Sequence, residues 1–175
     1  TGTIAASNRC FYSVEFESDT SAESGYSQQP GELIPDGGRR TGVFWPCYQS
    51  SNTWTNISGS AMENVVPTDG TITGYAVALS GTLGVGKSFD FHIYKNGVKQ
   101  DGTGATVDTT LTVANSDLYE AVSISLPVAA GDRVYIEATP VNSPNQCRVG
   151  VAVKFVADTD GQSIMGGWVS VDHSD

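Results

Sequence analysis

Between residues 70 and 140 the side chains alternate, and this limits the fold more than any other feature of the chain. The stretch contains GTITGYAVALS, then SFDFHIYKNGVKQ, then EAVSISLPVAAGDRVYIEATP. Phe89, Phe91 and Ile93 fall on one side of an extended chain, and Asp90, His92 and Tyr94 fall on the other. Successive side chains of a strand point to opposite faces, so this period of two predicts a strand. Asn96-Gly97 follows, a pair that tolerates the two positive φ angles of a tight hairpin. Val122, Ile124 and Leu126 repeat the pattern, as do Val134, Ile136 and Ala138 after a Gly131-Asp132 turn. One apolar and one polar side per strand belongs to antiparallel sheets with one wet face. The spacing of strands and turns predicts an all-β antiparallel β-sandwich, a jelly roll of about eight to ten strands.

The same stretch carries one motif with a catalytic precedent. Gly81, Gly86, Lys87 and Ser88 satisfy the phosphate-loop spacing of glycine, four residues, glycine, lysine, serine. Such a loop works because backbone amides and the N-terminus of a following helix converge on phosphate oxygens. Here the residues after Ser88 are aromatic and alternating, so they read as a strand. Without the helix the motif reads as a glycine-rich strand connection, and no cofactor is expected.

With 175 residues the chain suits a single domain whose core needs no metal or disulfide staple. Charged residues make up 16%, and the net charge is −10. Nucleic-acid binding requires clustered cations to displace counterions. Arg39-Arg40 is the only adjacent basic pair, which argues against nucleic acid and against an anionic membrane surface. No apolar run approaches a membrane span. The chain starts at Thr1 without Met, so removal of an upstream leader is compatible with it.

Cys10, Cys47 and Cys147 lack metal-ligand spacing. In an oxidising setting Cys10 and Cys47 can bridge and leave Cys147 unpaired; three buried thiols are the alternative. Asp158 to Gly161 holds two carboxylates without the ligand series of a calcium loop and reads as a turn. The Asn56-Ile57-Ser58 sequon has meaning only in a glycosylating host. No metal site is expected.

The remainder divides by composition. Residues 1–40 hold a first strand, 10–17, and then a stretch, 18–40, rich in Ser, Gly, Gln and Pro, which reads as a long loop or an arm on a neighbouring subunit. Residues 41–157 form the jelly-roll core, with further strands near 41–48, 61–66, 107–113 and 148–156. The tail, 158–175, packs on the core or on a neighbour, and the whole is one domain. A serine nucleophile would need a histidine and a carboxylate nearby. His92 faces away from the apolar side of its strand, and His173 lies in the tail. Glu15, Glu17, Glu120 and Glu137 read as solvent-facing strand positions. No catalytic residues emerge, and the chain reads as a non-enzyme.

Residues 41–155 resemble a recurrent module of tailed-phage and other viral structural proteins. The matching pieces are Gly70-Thr-Ile, the run from Gly84 to Phe91, Lys95-Asn-Gly-Val98, the run from Val128 to Val134, and Thr139-Pro140. The resemblance implies a tumour necrosis factor-like jelly roll, which usually trimerises, and it brings no catalytic residue. The implied role is a capsid decoration protein or a spike or fibre head on the virion surface, contacting its own copies and a partner such as a major capsid protein. A host-surface glycan is a further candidate partner. The other reading is a secreted, extracellular carbohydrate-binding module, in which Trp54, Tyr119 and Trp168 would stack on sugar rings. A small hydrolase comes third and would need two acids, or a histidine and an acid, converging in a pocket.

Overall fold

The computed structural model describes residues 21, 23–27, 32–34, 40–42 and 64–160. Among them there is no helix; the elements are β1 (Glu23–Ser27), β2 (Glu32–Ile34), β3 (Arg40–Gly42), β4 (Asn64–Val65), β5 (Gly70–Ser80), β6 (Ser88–Lys95), β7 (Val98–Lys99), β8 (Leu111–Ala114), β9 (Tyr119–Val128), β10 (Arg133–Val141) and β11 (Cys147–Ala157). They form two antiparallel sheets. The first runs β1-β11-β5-β9, with β2 also on β11; the second runs β3-β10-β6-β7, with β4 on β10 and β8 on β6. The predicted all-β, antiparallel, sandwich-like architecture is therefore present.

The order of pairing is nested. β1 and β2 pair with β11, β3 and β4 with β10, β5 with β9, and β6 with β8. Among the described residues the strand pairs are thus nested about β7, which lies between β6 and β8 in the sequence. Successive pairs fall alternately in the first and the second sheet. Two further pairings, β5 with β11 and β6 with β10, join neighbouring pairs within each sheet.

The inner faces bury one shared core. Ile72, Val77, Leu126, Val151 and Phe155 from the first sheet meet Phe89, Phe91, Ile93, Val113 and Ile136 from the second. Burial of each such side chain stabilises the fold by about 1.5–3 kcal/mol before conformational entropy is counted. The turn expectations hold as well. Asn96 and Gly97 both have positive φ, 51° and 78°, and Gly131 sits at 92°. At this end Asp132 links the hairpins: its carboxylate accepts Ala129 N–H at 2.9 Å and Asn96 Nδ2 at 2.7 Å. Those bonds, the Ala129 amide foremost, hold its pKa below the usual carboxylate range.

The ladder of the second sheet has a gap that side chains fill. β7 pairs with Tyr94 and Lys95, and β8 pairs with residues 88–91, which leaves Ile93 between them. The Ile93 amide donates to Thr109 Oγ1 at 2.9 Å, and the Thr109 hydroxyl donates to Gln100 O at 2.7 Å. From across the core, the Tyr75 hydroxyl reaches Thr109 O at 2.6 Å and Phe91 O at 3.0 Å. Burial pushes its phenol pKa up, so it remains a donor.

Two expectations change. Within 18–40, read as a loop or arm, β1 and β2 add to the chain's own β11. Their sequences lack the apolar alternation that flags a strand, and pairing with a long central strand supplies what propensity does not. His92, read as a surface or cross-strand position, and Glu137, read as solvent-facing, lie opposite each other across β6 and β10 and are each only 6% exposed. They alternate away from the core as expected, but the outer face of the second sheet is itself buried at its centre. The first-strand region 10–17 and the tail beyond residue 160 lie outside the described residues.

Candidate functional site

Three places carry residues with functional potential, and the first is the glycine-rich loop. It joins β5 to β6, so a strand follows it, in the position where a phosphate loop has a helix. Gly81, Gly84 and Gly86 all adopt positive φ (102°, 102° and 70°), which explains the glycines by backbone shape. Two loop amides are spent inside the protein: Gly84 N–H donates to Asn115 Oδ1 at 3.0 Å, and Lys87 N–H donates to Gly84 O at 3.2 Å. Asn142 Nδ2 donates to Gly86 O at 2.8 Å, and Asn145 Nδ2 donates to Thr82 O at 3.1 Å. The stem of Lys87 folds back over Gly84, where a Cβ would meet Lys87 Cδ at 2.8 Å. Leu83 plugs the core while Val85 stands 96% exposed at the tip. The loop is a connection held by asparagines from two neighbouring turns.

The second place is the outer face of the second sheet. Register sets His92 on β6 opposite Glu137 on β10, with Tyr94 opposite Tyr135 one step along the same face. The two tyrosine rings stack at 4.6 Å with 13° between their planes. Glu137 Oε1 accepts from Tyr94 Oη at 3.1 Å and from Thr139 Oγ1 at 3.4 Å. Asp90 on the same face accepts from Thr112 Oγ1 at 2.6 Å. His92 Nδ1 is buried without a hydrogen-bond partner. Burial, and then the nearby Lys99 cation, lower the imidazole pKa against the opposing pull of Asp90, Asp101 and Glu137. Sequence reading did not bring this histidine and carboxylate together, because they are far apart along the chain. Their shared position is set by β6–β10 register, whereas apolar alternation gives the face of each residue but not its partner. A histidine base in acyl-transfer chemistry is oriented by a hydrogen-bonded carboxylate. Here Glu137 is instead turned toward Tyr94 and Thr139.

The third place is the edge strand β9. Its outward residues Tyr119, Ala121, Ser123, Ser125 and Pro127 are exposed, and Val122 and Ile124 are only half-buried against the core. Tyr119, one of the sequence candidates for a partner or glycan contact, is 59% exposed at the start of this strand. The other two candidates, Trp54 and Trp168, lie outside the described residues, as do Glu15, Glu17 and His173. Cys10 and Cys47 also lie outside them. Cys147 is a buried free thiol, with its pKa pushed up to about 11 by burial.

Among the described residues, no group of three or more His, Cys, Asp or Glu side chains is arranged to hold a metal ion. Nor is any described helix long and apolar enough to cross a membrane. No protein-family model matches the chain, and no curated protein sequence matches it significantly.

Proposed function

We propose that the chain is a non-enzymatic structural subunit of a virion surface, a jelly roll that works by packing against its own copies and a neighbouring shell or fibre protein. The observation that carries this reading is the nested strand order. A jelly roll is built from two antiparallel sheets, and the pairs β1/β2–β11, β3/β4–β10, β5–β9 and β6–β8, nested and alternating between the two sheets, support that reading. The resemblance of residues 41–155 to phage structural modules points the same way. Fold does not dictate function, so the reading also leans on surface chemistry. Among the described residues, the large apolar side chains of Val65, Val85, Val98 and Tyr119 are exposed, and neighbouring subunits can cover them. Sedimentation over a concentration series tests it: a closed homo-oligomer is expected, and only monomers at the highest concentration would overturn the proposal. Electron micrographs of the native assembly would then separate shell decoration from a fibre head.

One observation favours a second reading. Tyr119 is an exposed aromatic beside small residues, an arrangement that suits stacking on a sugar ring. Under that reading the chain is a secreted carbohydrate-binding module, and a glycan array would return binding that disappears in Tyr119→Ala.

A further inference from the structure

We infer that the first half of β9 pairs edge to edge with β9 of a second copy of this chain, antiparallel, with Ala121 on the two-fold axis. The inference deepens the homo-oligomer reading above and rests on it.

The ladder shows which backbone groups are available. Leu79 N–H donates to Leu118 O at 2.7 Å, and the register continues with Val77 opposite Glu120 and Tyr75 opposite Val122. In an antiparallel ladder, alternate residues direct both backbone groups to the same side. Residues 118, 120 and 122 therefore face β5, and Tyr119, Ala121 and Ser123 direct their N–H and C=O groups away from it. β9 pairs with β5 and with no other strand among the described residues. The Tyr119 amide is already held by Asp117 Oδ1 at 3.2 Å. Among the described residues, what remains without a partner is the Tyr119 carbonyl, both groups of Ala121, and both groups of Ser123.

Protein edges are normally blunted by charge, proline, bulges or shortness. On the second sheet, β7 and β8 are short. On β9 the second half is guarded, by Pro127 and by a register shift between Ser123 and Leu126. Residues 119–123 carry none of these devices except Glu120, which lies on the core-facing side of the strand. The uncharged run continues from Ala121 to Gly131 in a chain whose net charge is −10. Two copies so charged repel each other, and an edge whose outward residues carry no charge adds nothing to that repulsion.

The window is also self-complementary, which is why the occupant is a second copy. With Ala121 on the axis, each Ala121 amide donates to the other's carbonyl, and each Ser123 amide donates to Tyr119 O of the second copy. Glu120 then lies opposite Val122, so no like charges meet. Each Tyr119 ring, now exposed, lies over Ser123 of the other copy, where the small outward residues leave room for it.

Sedimentation velocity of the full chain, compared with Ala121→Pro and Ser123→Lys, tests the register. Proline at 121 removes only an outward N–H, a place where edge strands tolerate it. Ser123→Lys adds an outward charge and guards against misfolding of the proline variant. Both variants are expected to weaken an even-numbered assembly about tenfold or more, equivalent to roughly 1.4 kcal/mol, with unchanged circular dichroism. Slow hydrogen exchange at Ala121 in the assembled wild type should accompany this. Assembly unaffected by both variants, threefold or otherwise, would overturn the inference and leave the homo-oligomer reading standing. Wild-type protein that stays monomeric would overturn both.

Discussion

Replacing Thr109 by valine removes one hydroxyl from the gap in the second sheet and keeps the side chain's shape. Thr109 is fully buried, and its Oγ1 is the acceptor for the Ile93 amide at 2.9 Å. Among the described residues no strand stands opposite Ile93 on that side, so in Thr109→Val the buried Ile93 amide loses its acceptor. Gln100 O fares better, because it keeps the Thr109 amide at 2.9 Å when it loses the hydroxyl. The cost is therefore essentially one orphaned buried N–H, about 2 kcal/mol within a range of about 1–3. For a chain of this size that lowers the melting temperature by about 4–8 °C. Thr109→Ser is the control: it keeps the hydroxyl and deletes one methyl, for about 1 kcal/mol. Urea and thermal unfolding of the three proteins read the difference directly. If valine is tolerated as well as or better than serine, the hydroxyl does not bridge the ladder and the reasoning fails.

Three further outcomes follow from other parts of the structure. Gly70→Ala places a Cβ against the Phe155 ring and the Val156 carbonyl, so denaturant melts should show a loss of about 1–3 kcal/mol; a neutral result would mean that β5 and β11 separate easily at that end. Because burial holds the His92 pKa below its ordinary value of about 6.5, the unfolded chain takes up the proton first. Stability due to the neutral imidazole is thus complete above about pH 6.5 and is lost as pH falls toward the folded value, and His92→Phe should flatten that part of the stability–pH curve. A curve unchanged by the substitution would show that His92 does not titrate differently in the two states. Cys147, buried and with its pKa at about 11, should resist alkylation at pH 8 in the native protein and react in denaturant, as followed by peptide mass spectrometry; rapid native labelling would contradict its burial.

Much of the fold was legible because it rests on local patterns. Phe89, Phe91 and Ile93 alternate with polar residues, and β6 follows with those three side chains in the core. The residues after the phosphate-like loop read as a strand for the same reason, and they form one. The candidate surfaces were less legible. Tyr119 was named from sequence as an aromatic for sugar stacking, and the fold places it exposed at the start of β9. The Thr109 bridge and the asparagine clasp on the glycine loop were not, since each joins segments far apart in the chain through single hydrogen bonds with no sequence period.

Hydrophobic alternation and turn chemistry, which depend only on near neighbours, determined that this chain makes antiparallel strands and which side of each long strand is apolar. Tertiary structure decided the nested pairing and brought β1 and β2, poor strand formers by composition, onto β11. It also decided the burial of His92 and Glu137. A side chain's face follows from its place in the strand, whereas its exposure depends on what lies over that face, and that is a long-range outcome of the whole fold.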